Sequence, residues 1–275
     1  MARGWPADIH VIGKDILRFH AIYWPAMLMS AGLPLPKHIC THGFLTKDGL
    51  KMGKSLGNVV EPTSLVSDFG GDAVRYFFSG CLTFGDDGDF TYEAFVKRVN
   101  SSLANELGNL VNRVLNLCRK NLDGPTTIQE LLDDEGDLLN HPVYLAATRA
   151  PEEVAEQYER FDLTKAATLA LEIAGAGNAQ IMITEPWVKL KGEEADRRMA
   201  LRELLILGEA LRICAVLLSP MVPELSKKLL SDLGVEGEVK WSDAKWRGEA
   251  LPGLAAGGKP KPLFQRIDVS AWEGK

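Results

Sequence analysis

The chain has 275 residues, 46% of them hydrophobic and 25% charged, and carries a net charge of −6. This suits an ordinary soluble protein of one large or two medium domains with a sizeable core. The acidic balance excludes a generally basic, non-specific nucleic-acid binder, so any nucleic acid must be held by a few placed residues.

Four cysteines, Cys40, Cys81, Cys118 and Cys214, are scattered along the chain. None forms a Cys-x-x-Cys pair and no Cys/His cluster has zinc spacing, so no metal or zinc site is expected. They read as buried thiols of a reducing compartment. The first ten residues have no apolar leader core, and the apolar runs are interrupted by Glu, Arg or Pro before membrane-spanning length. The expectation is a soluble intracellular protein with no membrane partner and no targeting segment in this chain.

Asp8 to Gly13 predicts a short buried strand. The run after it, Lys14 to Pro36, predicts a helix stopped by Gly32 and Pro34, with Pro25 kinking it or ending a segment. Lys37 to Thr46 predicts a second strand closed by the turn Lys47-Asp48-Gly49. Strand, helix, strand is a βαβ unit, which places ligands at the carboxyl ends of parallel strands. Gly70 to Gly80 predicts a short helix, and Leu82 to Phe90 is a turn-rich acidic break taken as a domain boundary. Beyond it the period changes. Phe95, Val99, Leu103, Leu107, Leu110, Val114 and Leu117 recur every three or four residues, one face of a helix running from Tyr92 to Asn121. Helices follow at about 143–160, 163–183 and 193–218, and a last one begins at Pro220 or Pro223 and ends near Gly234. A bundle of four or five helices is the economical reading, with an extended Gly/Pro-rich tail.

The segment Thr46–Val60 contains Gly53-Lys54-Ser55, the end of a phosphate-binding P-loop. That motif needs a second glycine at position 48, which is Asp, so its backbone cradle cannot form in the usual way. Two lysines remain, Lys51 and Lys54. Ammonium groups three residues apart on a glycine-permitted loop can meet a polyphosphate from one side; they also fit a solvated hairpin tip. Ile16, His20 and Trp24 step by four and share one helix face, which fits an apolar pocket with one polar handle or a plain core stripe. Asn105, Asn109, Asn112, Arg113 and Asn116 lie off the apolar face of the long helix. Amide and guanidinium groups can read single-stranded bases, and Trp187 after Pro186 can stack on one. Solvated polar residues and a packing plug are the alternatives.

Taken together, "WPADIHVIGKDILRFHAIYWPAML", "HGFLTKDGLKMGKSLGN", "DAVRYFF", "FVKRVNSSLANELGNLVNR" and "EPWVK" resemble the C-terminal half of the methionyl-tRNA synthetase family, class I aminoacyl-tRNA synthetases, most of all those of bacterial and organellar type. The resemblance covers nearly the whole chain. It implies an α/β fold, a partial Rossmann-like class I catalytic domain over 1–90, followed by an all-α helical-bundle anticodon-binding domain over 91–275. It implies a methionine–tRNA ligase using ATP, with Mg2+, and a plastid, mitochondrial or bacterial-type cytoplasmic setting. By resemblance, Lys51 and Lys54 hold the ATP phosphates, Lys54 contributing most to the transition state, with Gly53 in place of the usual Ser. Gly13 and Asp15 match positions near the ribose, and the Leu45 backbone meets adenine. Ile16, His20 and Trp24 match the methionine pocket, and Asn109, Arg113 and Trp187 match readers of the CAU anticodon of tRNA. The family's His-Ile-Gly-His signature is absent from this sequence. The expectation is a C-terminal portion, inactive alone, whose partners include the missing N-terminal catalytic half. A non-catalytic tRNA-binding or interaction module is the alternative.

Overall fold

The structure, a computed structural model, describes residues 4–80, 82–83, 85–132 and 135–268. Cys81, expected as a buried thiol, lies outside the described residues, as does the Lys54 side chain. Cys118 and Cys214 are buried thiols, each pushed up to about 12 by burial. Cys40 is only half-buried.

The first strand, β1 (Ile9–Gly13), pairs in parallel with β2 (His38–His42), as the βαβ reading requires. The connection is not one regular helix. It runs through a 3-10 turn (Lys14–Ile16), a π-helical stretch (Phe19–Tyr23) and α1 (Trp24–Ser30). Pro25 lies inside a continuous helical run, with Tyr23 and Trp24 in helical conformation before it, and the π turns that end at Tyr23 are the distortion that a proline without an N–H donor imposes. The second predicted strand divides. After β2 the chain passes Gly43 and Phe44 and enters a separate three-stranded sheet through β3 (Leu45–Lys47). The predicted turn is a two-residue hairpin to β4 (Leu50–Lys51), with Asp48 and Gly49 both at positive φ (53° and 73°). That is the hairpin turn whose twist suits the strands it joins.

The helices α2 (Pro62–Phe69) and α3 (Gly71–Gly80) follow. The segment expected as a break then contributes β5 (Gly88–Phe90), which pairs in parallel with β3. Two glycines and three acidic residues hid a strand whose partner lies about forty residues back. Phe90 is fully buried with Phe77 and Phe95 against it, so the hydrophobic core runs without interruption across this point.

The long helix starts at α4 (Tyr92–Val99), capped by the Thr91 hydroxyl, and ends with α5 (Asn109–Asn121). Between them residues 100–108 form π turns. Gly108 permits this: a β-carbon there would stand 2.9 Å from the Leu103 carbonyl. Six of the seven predicted stripe residues are buried, and past the π turns Val111, Leu115 and Cys118 join them. The wider repeat of the π segment shifts the apolar face, which leaves Leu117 half-buried.

The short α6 (Ile128–Leu131) and α7 (Glu135–Leu139) lead to α8 (Pro142–Glu159) and α9 (Leu163–Thr184), then to α10 (Pro186–Lys189), α11 (Glu194–Leu218) and α12 (Pro223–Asp232). The Asp162 carboxylate caps α9 by accepting from the Lys165 N–H. By length and composition alone α9 is long and apolar enough to cross a membrane, although Lys165 and Glu172 interrupt its apolar run. Its buried residues, Ala166 to Ile181, pack inside the bundle. Residues 203–218 of α11 are buried on every side, and this helix is the bundle's axis. The tail is anchored rather than simply extended. Leu251, Leu254 and Leu263 are buried, and the Asn100 amide exchanges two hydrogen bonds with the Ile267 backbone (2.8 and 2.9 Å).

The sheet-bearing part grips the bundle through α3. Arg75 donates to the carbonyls of Pro220 (2.6 Å) and Met221 (3.0 Å), and Asp72 accepts from the Leu225 N–H at the start of α12 (2.6 Å). By contrast β1, β2 and α1 leave much apolar surface bare: Val11, Phe19, Ile22, Met27 and Met29 are each more than half exposed. Both strands of that sheet are edges, the unprotected arrangement expected of a sheet lacking neighbours.

Candidate active-site edge and nucleic-acid interface

The carboxyl ends of β1 and β2 lie side by side, Gly13 opposite His42. Asp15 folds back over Gly13, so a β-carbon at residue 13 would stand 2.6 Å from the Asp15 carboxylate. Gly13 and Asp15 are thus brought together at the edge where an α/β sheet takes ligands. Next to them, Leu45 lines a cavity of about 310 Å3 with Phe44, Phe78, Asp86 and Gly88. The Lys14 ammonium stands 4.6 Å from the centre of the Phe44 ring and pairs with Asp87 at 2.5 Å. Lys51 approaches the same ring from β4, at 5.8 Å. The Phe44 ring between two ammonium groups was not legible as a site feature, because it joins residues thirty apart.

The lysine loop is held by Asn58, which escaped the sequence reading. Its side-chain oxygen accepts from the Gly53 N–H (2.9 Å) and its amide donates to the Lys51 carbonyl (3.1 Å). Gly53 has ordinary backbone angles for any residue, and a β-carbon there would find nothing closer than 3.7 Å. The Ser of the family motif would fit.

Two carboxylates tie this edge together. The Lys14 ammonium, then the Phe44 N–H, hold Asp87 below the usual carboxylate range. The Thr46 hydroxyl, then the Gly49 N–H, do the same for Asp89. A folded-state pKa below the unfolded value means that the stabilisation is complete above the ordinary value of 3.8 and is lost as pH falls through the folded one. Acidification below about pH 4 is therefore expected to loosen the β3–β4 hairpin before the bundle. Amide exchange at Phe44 and Gly49, compared with Val114, measures this. Equal loss of protection at all three would refute it.

His20 and Trp24 line a cavity of about 480 Å3 with Trp5, His10, Phe19, Tyr23 and Met27. Ile16 is not among the lining residues. The four-residue step assumed an α-helix, and the observed 3-10 and π turns rotate Ile16 away. It contributes its backbone: the His20 Nδ1–H donates to the Ile16 carbonyl at 3.0 Å, which leaves Nε2 as an acceptor. His10 stands edge-on to His20 at 5.7 Å, and its buried Nδ1 has no partner among the described residues. Trp5 and Trp24 are also edge-on, at 6.0 Å.

In the bundle, α9 ends at Glu185, which adopts a left-handed conformation (φ 44°, ψ 55°) before Pro186. A residue before proline avoids the α region, so the chain turns sharply here and α10 delivers Trp187 to the α5 surface. Trp187 and Arg113 meet, lining a cavity of about 440 Å3 with Asn112, Asn116, Leu117 and Met182. Arg113 donates to the Met182 sulfur at 3.6 Å. Asn109 is exposed one turn earlier on α5 and lies outside this lining. Among the described residues no group of three or more His, Cys, Asp or Glu side chains is placed to hold a metal.

A family profile described as "tRNA synthetases class I (M)" matches residues 5–115, and one described as "Anticodon binding domain of methionyl tRNA ligase" matches residues 143–274. The chain belongs to the methionyl-tRNA synthetase family. The methionine–tRNA ligase of Arabidopsis thaliana, chloroplastic/mitochondrial, is 46% identical over 97% of this chain and 43% of its own length. The Synechocystis methionine–tRNA ligase is 44% identical over 90% of this chain and 45% of its own. The solved Mycobacterium tuberculosis methionyl-tRNA synthetase in complex with methionyl-adenylate superimposes with a TM-score of 0.85 at 39% identity, over 96% of this chain and 51% of that one. The chain thus spans about half the length of the family members it matches. The fold is the family's: part of a class I catalytic domain followed by the helical anticodon-binding domain.

Proposed function

We propose that the chain carries the ATP-loop side of the active site and the anticodon-reading domain of a methionine–tRNA ligase, an enzyme that joins methionine to ATP with release of pyrophosphate and passes the methionyl group to tRNA. The single observation carrying this is one sequence that holds both a nucleotide edge and a base-sized bundle cavity. The first comprises Gly13, Asp15, Leu45 and the Asn58-braced Lys51–Lys54 loop; the second is faced by Arg113 and Trp187. Residues 1–90 are assigned to the catalytic part and 91–275 to the anticodon-binding part. Lys51 and Lys54 meet the ATP phosphates, with Mg2+ as the phosphate counter-ion. His20 and Trp24 enclose the methionine side chain, joined by Trp5, His10 and Tyr23. Ile16 contributes the carbonyl that sets the His20 tautomer.

The remaining part of the active site, with the His-Ile-Gly-His signature, comes from a segment outside this sequence. The bare apolar surface of β1, β2 and α1 is where it would pack. The compartment is organellar or bacterial-type cytoplasm, as in the relatives matched.

The test is binding of tRNA carrying CAU against the same tRNA with a changed anticodon. CAU is preferred, and Trp187→Ala weakens CAU binding by roughly 1–3 kcal/mol through loss of base stacking. Equal affinity for both tRNAs, or no effect of Trp187→Ala, would remove the anticodon assignment.

A further inference from the structure

The cavity beside Trp187 contains two side chains that the family resemblance does not single out, Asn112 and Asn116. They lie one turn apart on α5. The Asn116 amide donates both its hydrogens to Asn112, one to the backbone carbonyl at 2.7 Å and one to Oδ1 at 2.9 Å. A carbonyl oxygen can only accept, so the first bond fixes which way the Asn116 amide faces. The second then fixes Asn112, whose Oδ1 is the acceptor. A free asparagine offers a donor and an acceptor interchangeably; this pair does not. Asn116 Oδ1 is left as an acceptor and Asn112 Nδ2 as a donor, neither with a protein partner among the described residues.

We infer that Asn112 and Asn116 form a polarised reader that selects a base with an exocyclic amine beside an unprotonated ring nitrogen, and rejects its keto counterpart. The inference rests on the anticodon reading of this cavity. In cytosine and adenine the Watson–Crick edge presents an N–H2 donor next to a ring-nitrogen acceptor. The amine donates to Asn116 Oδ1 and the ring nitrogen accepts from Asn112 Nδ2. In uracil and guanine both are reversed, so each position sets like against like and buries unpaired groups. Trp187 supplies the stacking face, which is indifferent to base identity. Arg113 is partly occupied by the Met182 sulfur and, having donors only, cannot accept from an amine. The acceptor in this cavity therefore falls to Asn116.

The test uses the full chain and short RNA stem-loops bearing CAU, UAU or CGU in the anticodon positions. Affinity is read by fluorescence anisotropy at one salt concentration. At least one amine-to-keto change, cytosine to uracil or adenine to guanine, is expected to weaken binding about tenfold to a hundredfold. Asn112→Asp keeps the acceptor that orients Asn116 and removes the outward donor. Its charge lowers all affinities together, so the readout is the ratio between stem-loops, which is expected to fall to below about threefold. Asn112→Ala, which removes the outward donor without adding charge and keeps the backbone carbonyl that orients Asn116, is expected to reduce the same ratio. Both positions are on the surface of α5, and helix content checks folding. A ratio unchanged in both variants, with Trp187→Ala still weakening every stem-loop, overturns the reader and leaves the anticodon reading intact. No stem-loop binding by the unmodified chain, or none that responds to Trp187→Ala, overturns both.

Discussion

Replacing Arg212 by Ala should cost about 3–5 kcal/mol of stability, the loss expected when one partner of a buried ion pair is removed. Arg212 is 2% exposed, deep in α11. It forks onto Glu209 one turn earlier, with Nε at 2.8 Å and Nη2 at 2.7 Å from the two carboxylate oxygens. Nη1 and Nη2 also donate to the backbone carbonyls of Asp243 and Lys245, both at 2.5 Å. Glu209, 1% exposed, also accepts from the Arg247 N–H at 2.7 Å. The pair is thus a staple that holds residues 240–247 against the axial helix. Without the guanidinium, a buried carboxylate stands uncompensated and two carbonyls lose their donors.

The size of the effect separates two accounts. If the loss is the uncompensated charge, Arg212→Met combined with Glu209→Leu should be more stable than Arg212→Met alone, because no charge is then buried. If the loss is mainly cavity volume, the double variant gains nothing from losing the carboxylate. Urea unfolding distinguishes them. Trypsin reports the local consequence, since Lys240 and Lys245 are already at the surface and freeing the backbone that carries them should speed cleavage there. Arg212→Lys should not rescue it, because a single ammonium cannot reproduce the planar fork onto Glu209 together with the carbonyl contacts.

The Arg212 staple also shows what the sequence could not convey. The helices of the bundle were legible within a residue or two at most ends, since their apolar periods are local signals and the start at Pro223 is marked by a proline. Arg212 and Glu209, three apart in an apolar helix, look like any surface pair until the chain thirty residues on folds over them. Distance in sequence likewise hid β5, whose pairing with β3 gives Gly88–Phe90 a strand character that its composition does not carry. The π turns account for the other differences. They sent Ile16 out of the pocket shared by His20 and Trp24, and they shifted the buried face of the long helix. In the cavity beside Trp187, Arg113 and Trp187 were legible as a site only by resemblance, and Asn112 and Asn116 only as polar residues off the apolar face. What the structure adds is the hydrogen-bond direction between those two.

The second large effect falls at Gly43, and its reason is spatial rather than conformational. Gly43 lies where the chain leaves β2 and enters β3. A β-carbon there would fall 2.5 Å from the Asp87 nitrogen and closer still to the Asp86 carbonyl. These are backbone atoms, so no side-chain rotation relieves the clash and the 85–87 turn must move. That turn supplies the Asp87 carboxylate to the Phe44 N–H at 2.6 Å and to Lys14, and the Gly88 N–H to the Phe44 carbonyl at 2.9 Å. Overpacking alone costs about 1–3 kcal/mol, and each displaced hydrogen bond adds about 1 kcal/mol. Gly43→Ala should therefore destabilise the β3–β5 sheet by about 3 kcal/mol or more and open the cavity beside Leu45. Gly53→Ala is the matched control, because the space there is open and the backbone angles are ordinary. It should change stability by less than about 1 kcal/mol. Amide exchange at Gly88 reads the difference directly: rapid exchange in the Gly43 variant and native protection in the Gly53 variant. Native protection at Gly88 in both would mean that the 85–87 turn yields without cost, and that the sheet edge beside Leu45 is not held in place by the close approach at Gly43.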